Sequence, residues 1–144
     1  MNPRETINDI LVNLFNEIWK LEEEAIITDE FKDITNNDMH IIEAIGLSGE
    51  NTMSAVAKRL GNTAGSLTTS GNGLVNKKYV TRHRSEEDRR VVFLRLTEKG
   101  VRAYEHHREY HRQMTEAVLD RLSEEELPVL VKALKDLAEF FRGY

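Results

Sequence analysis

The chain has 144 residues and a formal charge of −5, from 20 Lys and Arg against 25 Asp and Glu. At 40% hydrophobic and 31% charged residues it has the composition of one folded domain, not of a disordered tail. Cysteine is absent, which excludes disulfides, thiolate metal sites and a Cys nucleophile. No run approaches the roughly 18 apolar residues of a membrane span, and no signal-peptide pattern opens the chain, so a cytoplasmic protein with no membrane partner is expected.

Residues 5–24 predict a helix. Ile7, Ile10, Leu11, Leu14, Phe15, Ile18, Trp19 and Leu21 recur three and four apart, in a stripe wide enough to imply burial on more than one side. A less regular connector follows over 25–34. Asn36 or Asn37 can cap a second helix, with Met39, Ile41, Ile42 and Ile45 inward and Gly46 near its end. Asn51 or Thr52 then opens a short helix, Met53 to Leu60, closed by Gly61, and Thr63 can cap another that runs to about Lys77. Two short helices joined by a tight turn with Gly have helix-turn-helix spacing, in which the second enters the major groove.

Residues 78–84 and 90–96 are rich in strand formers and flank the polar turn Ser85-Glu86-Glu87-Asp88-Arg89. A β-hairpin directly after a helix-turn-helix is a wing. Thr97 can cap a long helix to about Leu122. Ser123 and Glu126 form a capping box for a last helix to about Arg142, with Leu127, Leu130, Val131, Leu134, Leu137, Ala138 and Phe141 on one face. The expected fold is mainly α with a small β-hairpin wing. A winged helix-turn-helix lobe spans about 36–100 of a single domain, and N- and C-terminal dimerisation helices lie in 1–35 and 101–144. The end helices carry more apolar surface than one small domain uses, and operators are read by two-fold dimers, so a homodimer is expected.

The whole-chain charge argues against nucleic acid, but its distribution does not. Between Lys58 and Arg102 lie 11 basic and 4 acidic residues, a net +7, which leaves −12 for the remainder. The helix after Gly61 offers Thr63, Ser66, Thr68, Thr69, Asn72 and Asn76. Asn amides can pair with adenine edges, and Thr methyls can touch thymine methyls. Thr68 and Asn72, four apart, can share the groove face. Arg84, Arg89 and Arg90 sit at the wing, where an Arg can enter an A·T-rich minor groove. Lys58, Lys77, Lys78 and Arg82 are expected to neutralise phosphates. Gly65, Gly71 and Gly73 weaken this helix by roughly 0.5–1 kcal/mol each. Either they permit a flexible helix and close approach to a ligand, or they permit a tight crossing with a neighbouring helix.

The stretches Ser54-Ala55-Val56-Ala57-Lys58-Arg59-Leu60, Leu67-Thr68-Thr69, Lys77-Lys78-Tyr79-Val80, Asp88-Arg89-Arg90 and Leu94-Arg95-Leu96-Thr97-Glu98-Lys99-Gly100 resemble the MarR family of bacterial transcription regulators. The resemblance implies a DNA-binding repressor, not an enzyme, whose wing Asp88 braces Arg90 for the minor groove. Phe31-Lys32-Asp33-Ile34, Met39-His40, Leu67-Thr68-Thr69-Ser70 and Ser123-Glu124-Glu125-Glu126 are similar to the branch that represses fatty-acid biosynthesis in Gram-positive bacteria. That likeness implies long-chain acyl-acyl carrier protein as corepressor. The carrier is acidic, so its docking is expected near Lys58, Arg59, Arg102 or Arg108. The ligand pocket is expected between the first, second and fifth helices, with Phe15, Trp19, Met39, His40, Ile42, His107, Tyr110 and His111 as candidates.

His107 and His111 are four apart and share a helix face, a workable metal clip. With His40 they resemble the zinc-responsive branch of the same family, with Glu22, Glu23 or Glu24 as an oxygen ligand. The plainer reading has them line the pocket or hydrogen-bond between helices, so no cofactor is required. An enzyme reading finds no Gly-rich phosphate loop, nucleophile elbow or thiol. A helical interaction protein that binds no DNA leaves the +7 segment unexplained.

Overall fold

The computed structural model describes residues 2–28, 30–49 and 51–143. The first helix is built in three stretches: α1, Pro3–Asp9; a π-helical turn, Ile10–Leu14; and α2, Phe15–Ile26. Asn2 and Glu5 form a capping box and Pro3 takes the first turn, where its missing N–H costs nothing. The π turn interrupts what the apolar spacing presents as one regular helix. Asn13 spans it by donating to Asp9 at 2.7 Å. The expected burial on more than one side is not met within the single chain. Ile7, Phe15 and Leu21 are all more than half exposed, and Ile26 is the only buried residue of α2.

Helix α3 spans Asn36–Ile45, and its cap differs from expectation. Thr35 is the N-cap: its hydroxyl accepts from the Asp38 N–H at 3.1 Å, and Asp38 accepts from the Thr35 N–H at 3.2 Å. Asn36 is instead buried and donates to the Trp19 carbonyl at 3.2 Å, which ties the start of α3 to α2. Helix α4, Met53–Leu60, starts at a Thr52 cap and ends at Gly61, whose φ of 69° is the left-handed cap that glycine adopts without strain. Helix α5, Ala64–Asn76, starts at a Thr63 cap, as predicted.

The sheet has the antiparallel order β1-β3-β2: β1 is Asn51–Thr52, β2 is Val80–Arg84 and β3 is Val92–Leu96. Val80 pairs with Leu96 at the inner end and Arg84 with Val92 at the tip. The hairpin is the predicted wing. The two-residue β1, paired Asn51 with Leu94 and Thr52 with Phe93, is too short to show an alternating pattern and was not foreseen.

Ile41, Ile42 and Ile45 of α3, Val56 of α4, Leu67 and Leu74 of α5, Tyr79, and Leu94 of the wing close one core. Helix α6, Glu98–Leu119, begins against it. Thr97 accepts from the Gly100 N–H at 3.1 Å and donates to the Lys78 carbonyl at 2.7 Å. A Cβ at Gly100 would overlap the Tyr79 carbonyl, so only glycine fits this approach.

The chain divides into two compact units, Met1–His107 and Arg108–Tyr144. In the second, α6 ends at Leu119, and α7 spans Glu126–Arg142. The Ser123–Glu126 capping box forms as expected, with N···O distances of 3.0 and 3.1 Å. Helix α7 buries no residue, and Leu127, Val131, Leu134, Leu137 and Phe141 are exposed.

Candidate nucleic-acid interface

Helix α5 sorts its residues cleanly. Leu67, Gly71 and Leu74 face the core, while Gly65, Thr69, Asn72 and Asn76 form an exposed stripe at helical spacing. Thr63 and Ser66 are exposed at its start, and the Thr63 hydroxyl accepts from the Ser66 N–H at 3.1 Å. Thr68 does not join the stripe. Its half-buried hydroxyl donates to the Ala64 carbonyl at 2.8 Å and lies 3.2 Å from the Met53 sulfur, so it packs towards α4.

Asn72 is held in place. Arg82 of β2 donates to its Oδ1, which leaves the NH2 of this exposed side chain as a donor. Arg82 therefore braces the exposed Asn72 amide, a contact that sequence spacing does not signal. Helix α5 keeps right-handed geometry through all three glycines. An added Cβ at Gly71 or Gly73 meets nothing within 4 Å, so the tight-crossing explanation falls.

At the wing, Asp88 accepts from the Arg90 backbone N–H at 3.0 Å and from its Nε and Nη2 at 3.1 Å each. This is the bidentate pair implied by the resemblance. It holds a side chain that is 91% exposed, and Arg90 lowers the Asp88 carboxyl below the usual carboxylate range. Arg84 donates to the Arg89 carbonyl at 2.9 Å and stiffens the tip, while the Arg89 side chain is exposed. Arg90, Val91 and Val92 share one groove with Thr52, Met53 and Ser54 at the start of α4 and Ala64 at the start of α5. Two helix N-termini and one guanidinium therefore meet there, and all three attract phosphate.

Lys77 corrects the sequence reading. It lies at the opposite end of α5, where its Nζ donates to the Asp33 carbonyl at 2.7 Å and to Asp38 Oδ2 at 2.9 Å. Its ammonium is engaged by protein oxygens, with a third of the side chain exposed. Arg59 is also committed, to the Ala44 carbonyl at 2.6 Å and Asn51 at 3.0 Å, and Arg102 pairs with Glu30 at 2.5 Å. Lys58 remains exposed.

The effector candidates separate into different environments. Met39 and Ile42 are buried in the core. Phe15 and Trp19 are 58% and 44% exposed, and Trp19 stacks on His40 with centroids 5.4 Å apart. His107 is buried, with Nε2 2.9 Å from Glu43 and 3.3 Å from Glu22. In the second unit, Tyr110 meets His111 edge-on at 5.7 Å.

An exposed amide-and-hydroxyl stripe on the second helix of a helix-turn-helix, beside an arginine wing braced by aspartate, defines a DNA-binding winged helix. The profile described as "Transcriptional regulator SarA/Rot" matches residues 24–107. The HTH-type transcriptional regulator YpoP of Bacillus subtilis is 27% identical over 106 residues, covering 74% of this chain and 75% of YpoP. FabT of Streptococcus pneumoniae, solved in complex with DNA, is 41% identical with a TM-score of 0.89, covering 97% of this chain and 98% of that one. The DNA complex of MepR from S. aureus shares the fold at 24% identity and a TM-score of 0.68, covering 88% of this chain and 94% of MepR. The chain belongs to this family of MarR-type winged-helix transcriptional regulators. Among the described residues, no helix is long and apolar enough to cross a membrane.

Proposed function

We propose that this chain is a cytoplasmic, homodimeric repressor of fatty-acid-biosynthesis genes, with acyl-acyl carrier protein as its corepressor. The observation that carries the reading is the 41% identity with FabT over 97% of this chain and 98% of that one. DNA is read by Thr69, Asn72 and Asn76 in the major groove and by Arg90, held by Asp88, in the minor groove. Thr63 and Ser66 at the helix start and Arg84 and Arg89 at the wing supply backbone contacts. The apolar faces of the first helix and of α7, both uncovered in the single chain, supply the dimer contact.

The test is a DNA shift titrated separately with acyl-acyl carrier protein and with zinc. Tightening by the acyl carrier alone supports the reading. Tightening by zinc alone would favour the metal reading instead, with His40, His107 and His111 as the candidate ligands. No response to either leaves a DNA-binding regulator without the proposed corepressor.

A further inference from the structure

The geometry points to Lys77 as a positioning residue that sets the angle of the recognition helix α5, not as a ligand of DNA phosphate. The inference rests on the DNA-binding reading above and assigns a basic residue of that lobe to a different task. Lys77 caps the last turn of α5, and its ammonium bridges the Asp33 carbonyl and the Asp38 carboxylate. The pair is partly screened from water, with side-chain exposures of 33% for Lys77 and 11% for Asp38. Two residues further on, the fully buried Tyr79 donates its hydroxyl to Asp33 Oδ1 at 2.7 Å, and Lys99 Nζ sits 4.4 Å above its ring. The C-terminal end of α5 is thus pinned twice, to the connector before α3 and to the first turn of α3. Asp38 cannot swing away freely, because it also accepts from the Thr35 N–H.

The other end of the helix carries Thr63, Ser66 and Thr69 of the polar stripe, with Asn72 midway and Asn76 beside the clamp. At the far end Leu67 is buried in the core and Thr68 touches Met53, while Gly65, Ser66 and Thr69 are exposed. Helix α5 has 13 residues, so it is about 18 Å long at ~1.5 Å per residue. A pivot of about 5° at the pinned end moves the first turn by roughly 1.5 Å, more than a base-edge hydrogen bond tolerates. The clamp therefore controls whether the polar stripe meets base edges in register. A free lysine 18 Å from the groove end could add affinity but could not set that register.

The two roles make opposite forecasts. Replacing Asp38 with Asn makes the lobe more positive, so electrostatics alone tightens DNA binding. Loss of the clamp weakens it. The experiment uses the full chain with Lys77→Met, Asp38→Asn and Tyr79→Phe, and measures fluorescence anisotropy on two duplexes across about 50–200 mM salt. One duplex is selected from a random library on the wild-type protein, and the other is its shuffled counterpart.

Each variant is expected to lose about threefold to tenfold affinity for the selected duplex, keep its affinity for the shuffled one, and keep the wild-type salt slope. The Lys77→Met, Asp38→Asn double variant is expected to be no weaker than the weaker single. Far-UV circular dichroism checks the fold. If Lys77→Met does not fold, Tyr79→Phe, which removes one hydroxyl, carries the comparison. A slope that falls by about 0.9 per subunit in Lys77→Met makes Lys77 a phosphate ligand and overturns the inference. So does tighter binding of both duplexes by Asp38→Asn. If the wild type distinguishes the duplexes and the variants do so equally well, this inference alone fails. If the wild type does not distinguish them, the DNA-recognition reading fails and takes this one with it.

Discussion

One chemical change, glycine to alanine, is expected to have opposite effects at two helical sites. At Gly73, inside α5, a Cβ meets nothing within 4 Å. The backbone is right-handed, so the substitution only removes disorder from the unfolded chain and favours the helix, a gain of about 0.5–1 kcal/mol. At Gly100 the same Cβ overlaps the Tyr79 carbonyl oxygen and sits 3.2 Å from the Leu96 Cβ. Neither neighbour can yield cheaply. The Tyr79 carbonyl accepts from the Thr97 N–H at 3.0 Å, and Leu96 pairs with Val80 in the sheet. The start of α6 must lift on the order of an ångström, an overpacking cost of about 1–3 kcal/mol that exceeds any helix-propensity gain. The gap between the variants is then about 1.5–4 kcal/mol, or roughly 5–15 °C in Tm for a chain of this size. Scanning calorimetry at one fixed protein concentration measures it, because dimerisation makes Tm concentration-dependent. Equal Tm values, or a less stable Gly73→Ala than Gly100→Ala, would refute the packing argument.

Four further outcomes are expected. Arg90→Ala lowers operator affinity about tenfold, the loss of one good groove contact. Asp88→Ala also lowers it although it removes a negative charge from the wing; tighter binding by Asp88→Ala would show that the brace is unnecessary. Phe15→Glu and Leu134→Glu each place a charge on an exposed apolar face and are expected to shift the protein to monomer in light scattering after gel filtration. A variant that stays dimeric removes its face from the interface. The Asp33–Tyr79 hydrogen bond gives stability two pH edges. Burial raises Asp33, but the Tyr79 hydroxyl with Lys99 and Lys77 more than offsets this, so its carboxyl lies below the ordinary range. A depressed carboxyl stabilises fully above its unfolded value of about 4, and that contribution fades as pH falls through the folded value. Burial, then Asp33, raises the Tyr79 hydroxyl. Its contribution is complete below about pH 10 and is lost as pH rises through the folded value. Denaturant titrations across pH should show the alkaline loss in the wild type and not in Tyr79→Phe.

The fold was legible wherever a signal is local. Thr52, Thr63 and the Ser123–Glu126 pair act as caps because a short oxygen-bearing side chain before an apolar run has few other uses. The wing was legible from Val, Phe and Leu around a polar tip. The failures are non-local. Asn36 has the chemistry of a cap, yet Thr35 takes the role because the Trp19 carbonyl, 17 residues earlier, claims the Asn36 amide. The first helix reads as buried from its stripe, since periodicity reports that a face is apolar and is silent on what covers it. The two residues of β1 carry no period at all.

The same limit divides the basic residues of the candidate site. Lys77 and Lys78 are adjacent and identical in type, and no rule of composition separates them. The structure does so by geometry. Lys77 turns back onto Asp38, whereas Lys78, exposed at φ 70°, holds a left-handed position that disfavours any side chain. Arg82 and Arg59 diverge in the same way, one onto the Asn72 amide and the other onto the carbonyl of Ala44 at the end of α3. The +7 of this lobe therefore overstates what faces DNA. Besides Arg84 and Arg90, which bond within the wing tip, four of its cations, Arg59, Lys77, Arg82 and Arg102, are bound to protein oxygens. If these contacts persist on DNA, they release no counterions, so each subunit's salt slope should correspond to fewer phosphates than the charge count suggests. A measured slope near 0.9 for every one of the 11 cations would mean that the internal contacts open on binding, and the clamp on α5 would open with them.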